Sequence, residues 1–206
     1  MLTLFYATGT CSLASHIALE DSGASYEAKR LDFSAGDQRK PEFLAVNPKG
    51  RVPVLVTDRG IITETSAILV YIAQTNPAAN LAPLNDPFAL AQMQAFNSYL
   101  SSTVHVAHAH RPRGSRWADD DAALASMKKK VPQNMSECFG LIENTYFKGP
   151  WVMGADYSIC DPYLFTISSW LEADGVDPAR FPKVLDHRNR MAARPNVKKV
   201  LAREHA

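Results

Sequence analysis

Cysteine is scarce in this 206-residue chain: Cys11, Cys138 and Cys160 are all there is, an odd number with no CxxC pair. That excludes a disulfide framework, a zinc knuckle and a dithiol redox site. Charge of one sign is missing as well. Lys and Arg number 22 against 21 Asp and Glu, a formal net charge of +1 with no dominant basic block, so neither nucleic acid nor an anionic membrane is an expected partner. No apolar run reaches membrane-spanning length, and the first residues lack the basic segment of a secretory signal. With few thiols and a reducing compartment to suit them, a cytoplasmic location is expected. Repeats and low-complexity tracts are also absent. What is present is ordinary: 46% hydrophobic and 21% charged residues, enough to bury the core of one large domain or two small ones. An uncharged or zwitterionic small molecule is the partner this balance allows most readily.

The first eighty residues alternate short β-rich runs with helical patterns, and the remainder carries almost no strand signal. Leu2 to Tyr6 reads as a strand, followed by a helix with Leu13, Ile17 and Ala18 on one face and Gly23 as its stop. Tyr26 to Leu31 is a second strand, Pro41 to Val46 a short helix, and Val52 to Thr57 a third strand. Asp58-Arg59-Gly60 turns it into a fourth at Ile61-Ile62. A helix from about Thr65 to Gln74 ends at Asn76-Pro77. The order is βαβαββα. Residues 77–86, with two prolines and two asparagines, read as a linker. Asp86-Pro87 then caps a long helix with Leu90, Met93, Leu100 and Val104 in phase toward His105. Asp119-Asp120-Asp121 suits the start of the next helix, which runs to about Phe147. Ser158-Ile159-Cys160-Asp161 resembles a capping box ahead of a buried helix, and the tail after Phe181-Pro182 is helical with a break at Pro195.

Three constellations carry chemistry. Cys11 stands at the N-terminus of the first helix, where unpaired amides and the helix dipole favour an anion, so its thiol is expected to acidify; a small apolar filler is the plain alternative. Cys138 and Cys160, inside apolar helical patterns, read as inert filler. Val52-Pro53 opens a strand after the turn-rich Asn47-Pro48-Lys49-Gly50-Arg51. A cis bond there would leave the Val52 N–H and C=O to pair with an extended peptide-like ligand, and a trans turn would not. Glu64-Thr65-Ser66 joins strand to helix: hydroxyls and first-turn amides fit a ligand carboxylate, and Glu64 fits its ammonium, although an ordinary N-cap with a solvated acid is the plainer reading of these residues by themselves. His105, His108 and His110 do not read as a metal site, because 110 is turned away from the face that 105 and 108 share. Arg111, Arg113 and Arg116 with Trp117 read as a solvated loop, with an anionic or aromatic second substrate as the alternative.

The strand-helix Cys, the Val-Pro strand start and the Glu-Thr-Ser turn occur in the order and spacing of glutathione transferases. The segments TGTCSLASHIAL, FLAVNPKGRVPVL and TETSAILVYI and the DPYLF helix start closely resemble those of the bacterial, cysteine-containing beta class, over nearly the whole chain. The resemblance implies an α/β, thioredoxin-like N-terminal domain (1–76), a linker (77–86) and an all-α helical C-terminal domain (87–206) that contributes the electrophile site. It implies Cys11 beside the glutathione sulfur, Val52 with a cis Pro53 on the cysteinyl backbone, and Glu64 and Thr65 on the γ-glutamyl end. Arg51 falls near the glycine carboxylate, and Thr10 among the glutathione contacts. His105 aligns with a histidine that approaches the glutathione thiol; Val106 follows it where the class often has Lys. Tyr6, Ala109 and Trp117 are the expected electrophile pocket.

The implied activity is a detoxifying transferase that activates the thiol of glutathione, its co-substrate, for attack on a small hydrophobic electrophile, as a homodimer and without a metal. Thiol transfer, or reduction of a disulfide or peroxide through a Cys11 mixed disulfide, is the second reading. A non-catalytic ligand-binding or protein-docking module is the third.

Overall fold

A four-stranded sheet in the order β2-β1-β3-β4 organises the first unit of the computed structural model, which describes residues 1–205. Strand β1 (Leu2–Tyr6) lies parallel to β2 (Tyr26–Arg30), with Leu4 opposite Ala28, and antiparallel to β3 (Val54–Thr57), with Leu4 opposite Leu55. The helix α1 (Ser12–Ser22) supplies the crossover that two parallel strands require. Strand β4 (Gly60–Thr63) pairs with β3 across the two-residue Asp58-Arg59 turn. Helix α2 (Pro41–Val46) precedes β3, and α3 (Thr65–Thr75) follows β4. This βαβαββα order is the expected one. β3 starts at Val54 rather than Val52, since Pro53 has no N–H to give a ladder.

Helix α1 is apolar or small on nearly every side, His16 apart, and Ser12 to Leu19 are all buried. A helix of that kind needs cover all round, and it packs on β1, on α3 and on the last helix, α9 (Pro195–Glu204). The first unit therefore comprises Met1–Leu90 together with the chain from Met191 onward. Gly23, at φ 71°, ends α1 in the left-handed conformation that glycine adopts without a steric cost.

The second unit, Ala91–Arg190, contains no named strand among its described residues. Helix α4 (Pro87–Tyr99) is capped by Asp86, whose Oδ1 accepts the amides of Phe88 and Ala89 at 3.0 Å each. It runs into a π-helical stretch, Leu100–Val104, and then α5 (His105–Ala109). Sequence periodicity reads that segment as one helix, because Met93, Leu100 and Val104 are all buried; the π-turn changes the phase at which His105 leaves it. Helix α6 (Asp121–Leu141) is capped by Asp120, and α7 (Cys160–Ser168) is buried throughout. The Asp161 carboxylate accepts the amides of Val152 and Ser158 at 2.9 and 2.7 Å and meets His187 Nε2 at 3.0 Å, which fixes the start of α7 to α8 (Pro182–Ala193). A charge with several partners is the form in which a fully buried carboxylate is tolerated.

Candidate active site

The turn between β1 and α1 is held by hydroxyls. Thr10 Oγ1 donates to the Ala7 carbonyl at 2.8 Å and lies 2.7 Å from Ser12 Oγ, which in turn accepts the Ala7 amide at 3.2 Å. Thr10 therefore engages its hydroxyl within the turn. Cys11 occupies the N-cap position of α1 and is half-buried. The amides beyond it are already engaged: Ser12 on Thr10 Oγ1, Leu13 on the Thr10 carbonyl and Ala14 on the Cys11 carbonyl, at 3.2–3.3 Å. The helix dipole remains at this end, but the donors expected to meet an anion are in use within the turn.

The Cys11 thiol donates to the Val52 carbonyl at 3.6 Å. Val52 is brought there by its side chain, 8% exposed, which packs with Ala7, Phe43 and Val54 in one apolar cluster. Burying the side chain leaves the backbone to the site. The Val52-Pro53 peptide is cis, and among the described residues the Val52 N–H has no hydrogen-bond partner within the chain. The loop before it is tied by Asn47, which donates from Nδ2 to the Arg51 carbonyl at 2.7 Å and accepts the Lys49 amide at 3.2 Å. Gly50 has φ +60°, and a Cβ there would stand 3.0 Å from the Gln38 carbonyl oxygen, so the loop needs glycine at that position. Arg51 is exposed, and its guanidinium enters no ion pair among the described residues.

Glu64 sits at φ 73°, ψ 125°, a conformation rare for a residue with a Cβ. Lys49 Nζ forms an ion pair with Glu64 Oε1 and donates to Thr63 Oγ1 at 2.7 Å. The Glu64 carbonyl accepts the Ile68 amide and opens α3, whose buried Thr65 and half-buried Ser66 stand in the first turn. Cys11–Val52 and Lys49–Glu64 thus join three segments that lie far apart in sequence. Local turn chemistry fixes each of them separately.

In the second unit, His105 opens α5 and is half-buried. Its ring lies 5.0 Å from that of Trp170, and its Nε2 is 2.9 Å from Arg113 Nη2. His108 stacks on the same indole at 4.2 Å and meets Asp174 Oδ2 at 2.7 Å. His110 packs on Trp117 at 4.5 Å. No group of three or more His, Cys, Asp or Glu in metal-binding proximity occurs among the described residues.

Family models for the glutathione S-transferase N-terminal and C-terminal domains match residues 1–74 and 109–204. The glutathione S-transferase GstA of Escherichia coli O157:H7 is 30% identical over 206 residues, 98% of either chain. The chain belongs to the glutathione S-transferase family. A glutathione transferase homologue from Sulfitobacter, solved with bound glutathione, is 46% identical over 98% of each chain with a TM-score of 0.95. A bacterial beta-class glutathione S-transferase from Sphingomonas chungbukensis is 32% identical, again over 98% of each chain, with a TM-score of 0.85. No helix of the described residues is long and apolar enough to cross a membrane.

The glutathione S-transferase motifs that sequence pointed to in the first unit, around Cys11, Val52-Pro53 and Glu64-Thr65, are brought to neighbouring strand and helix ends. Tyr6 is placed otherwise: it is 5% exposed, its ring packs 4.9 Å from that of His16, and burial raises its hydroxyl pKa. It belongs to the interior of the first unit, where an alternating β1 turns it toward α1, and not to an open pocket wall. Ala109 is 4% exposed and Trp117 47%. The arginine loop is not simply solvated, since Arg113 reaches His105 and Arg111 Nη1 lies 3.8 Å from Asp174. Two polar pairings have no signature in the sequence, Lys49 with Glu64 and Arg113 with His105. The charges are visible in the sequence; the partners, fifteen and eight residues away, are set by turns.

Proposed function

We propose that the first unit binds glutathione across the ends of β1, β3 and β4. In this reading the Val52 N–H and C=O pair with the cysteinyl backbone as an added strand. Glu64 meets the γ-glutamyl ammonium, the first-turn amides and hydroxyls of Thr65 and Ser66 meet its carboxylate, and Arg51 meets the glycine carboxylate. Thr10 acts by holding the turn that presents Cys11, and Lys49 by fixing the Glu64 carboxylate. Cys11 lies beside the glutathione sulfur and, with His105 as the second catalytic group on the strength of the family resemblance, stabilises the thiolate for attack on a small hydrophobic electrophile. The observation that carries this is the hydrogen bond from the Cys11 thiol to the Val52 carbonyl, which puts the reactive sulfur on the backbone group that would receive the cysteinyl residue. A homodimer in the cytoplasm, with no metal, completes the proposal.

Calorimetric titration with glutathione tests the site. Parent protein should bind, Glu64→Gln and Arg51→Ala should each weaken binding about tenfold, consistent with loss of one charge-assisted contact, and unchanged affinity in both would defeat the assignment.

Thiol transfer has one observation in its favour: Cys11 is the only half-buried thiol among the three, and Ser12 follows it, so no resolving cysteine stands beside it. The Cys11 thiolate would attack a glutathionyl disulfide, form the Cys11–glutathione disulfide and release the other thiol; a second glutathione would then regenerate Cys11 as oxidised glutathione leaves. Cys11→Ala separates the readings. Disulfide reduction should vanish, while conjugation to chlorodinitrobenzene survives at reduced rate.

A further inference from the structure

His105 meets the guanidinium of a residue eight positions further on. After α5 the chain continues in helical-type turns, with the Arg111 amide on the His108 carbonyl at 3.0 Å and the Arg113 amide on the Ala109 carbonyl at 2.9 Å. Arg113 Nη2 lies 2.9 Å from His105 Nε2. A guanidinium has donors and no acceptor, so Nε2 must accept, and in the neutral ring the proton resides on Nδ1. Protonating Nε2 would set N–H against N–H and bring two positive charges into contact. On its other sides the ring meets Trp170, 5.0 Å away, and His108, 6.3 Å away, which is itself tied to buried Asp174 beside Arg111. Val106, next in the chain, has no proton or charge to offer the ring.

We infer that Arg113 is a positioning residue that fixes His105 as the neutral Nδ1–H tautomer, so that the imidazole serves the glutathione reaction as a hydrogen-bond donor from Nδ1 rather than as a cation or a base at Nε2. This rests on the proposed role of His105. A tautomer locked by a neighbour removes the reorganisation that a freely exchanging ring would need at each turnover.

The test uses the whole chain labelled with nitrogen-15, with the His105 ring signals identified by their loss in His105→Gln. In the parent, Nδ1 should have the shift of a protonated ring nitrogen and Nε2 that of an unprotonated one. In Arg113→Met the pattern should move toward the Nε2–H tautomer, and Arg113→Lys, which keeps a donor, should restore the parent pattern. With glutathione and chlorodinitrobenzene, Arg113→Met should lower kcat about tenfold, the size of one lost charge-assisted hydrogen bond, with KM for glutathione changed less than about twofold. A parent ring protonated at Nε2, ring shifts indifferent to Arg113→Met, or a tautomer change with kcat intact each overturns the inference. A parent without transferase activity defeats the catalytic reading of His105 instead, and the ring shifts still decide whether Arg113 sets its tautomer.

Discussion

At the scale of single residues, the three cysteines differ by environment more than by chemistry. Burial pushes the Cys160 thiol well above its ordinary range, and the Asp161 charge adds to that. Burial also raises Cys138, against a smaller opposing effect of the Tyr99 hydroxyl. Alkylation proceeds through the thiolate and needs access, so iodoacetamide on native protein at neutral pH should modify Cys11 first and leave Cys160 unmodified, as peptide mass spectrometry would read. Equal labelling of Cys160 and Cys11 would contradict the environments described. Glu64 presents a second residue-scale trade. Its backbone conformation costs on the order of 1–3 kcal/mol, whereas an exposed ion pair such as the one with Lys49 contributes about 0–1 kcal/mol. Glu64→Gly should thus melt at or above the parent temperature while losing glutathione affinity; a clearly lower melting temperature would show that the strain is not there to relieve. Cys11, Val52-Pro53 and Glu64 were legible in the sequence because each combines a reactive or backbone-altering residue with an element boundary: strand to helix at Cys11 and Glu64, loop to strand at Val52-Pro53. Lys49 and Arg113 were not, since nothing in a lysine's or arginine's immediate neighbours names the carboxylate or imidazole it will meet.

At the scale of elements, hydrophobic period and end signals marked nearly every helix: Gly23 and Asn76 as stops, and Asp86, Asp120 and Ser158 with Asp161 as starts, all appear in those roles. The π-turn at Leu100–Val104 left no such mark, because one extra residue per turn still buries Leu100 and Val104. Nor does sequence reveal how α9 grips α1. Glu20 on α1 receives the Tyr26 hydroxyl and Arg203 Nη1 at 2.8 Å each and pairs with Lys199. Burial raises the pKa of this carboxyl, but hydrogen bonds from Lys199 and Tyr26 and the Arg203 charge together outweigh burial and lower it. A carboxyl held below its unfolded value, about 4.3, stabilises the fold fully above that value and loses the contribution as pH falls through the folded one. The parent should therefore lose more melting temperature than Glu20→Gln between about pH 5 and pH 3. Parallel melting curves over that interval would remove Glu20 from the account of α9.

At the scale of the whole molecule, the chain leaves its first unit after Leu90 and re-enters it at Met191. Amphipathic patterning announces that a helix such as α9 buries one face; it does not say which surface receives that face, so sequence order alone groups the tail with the helices before it. In the structure Val197 and Val200 are fully buried, His16 Nδ1 meets Glu204 Oε1 at 2.9 Å, and Thr8 Oγ1 donates to the Glu204 carbonyl at 2.7 Å. Each valine contributes about 1.5–3 kcal/mol by burial, and a buried imidazole stripped of its partner costs about 1–3 kcal/mol more. Those amounts are comparable with the 5–15 kcal/mol or so that separates a folded domain from its unfolded chain. A chain ending at Arg190 should therefore show an early, broadened melting transition by circular dichroism. It should also lose glutathione binding, because the helix left uncovered is the one whose first turn presents Cys11, five residues before His16. Retention of the parent melting temperature would show that α1 is covered without α9. Retention of binding alone, in a chain that melts early, would show that the β1–α1 turn is held by its own Thr10 and Ser12 hydroxyls.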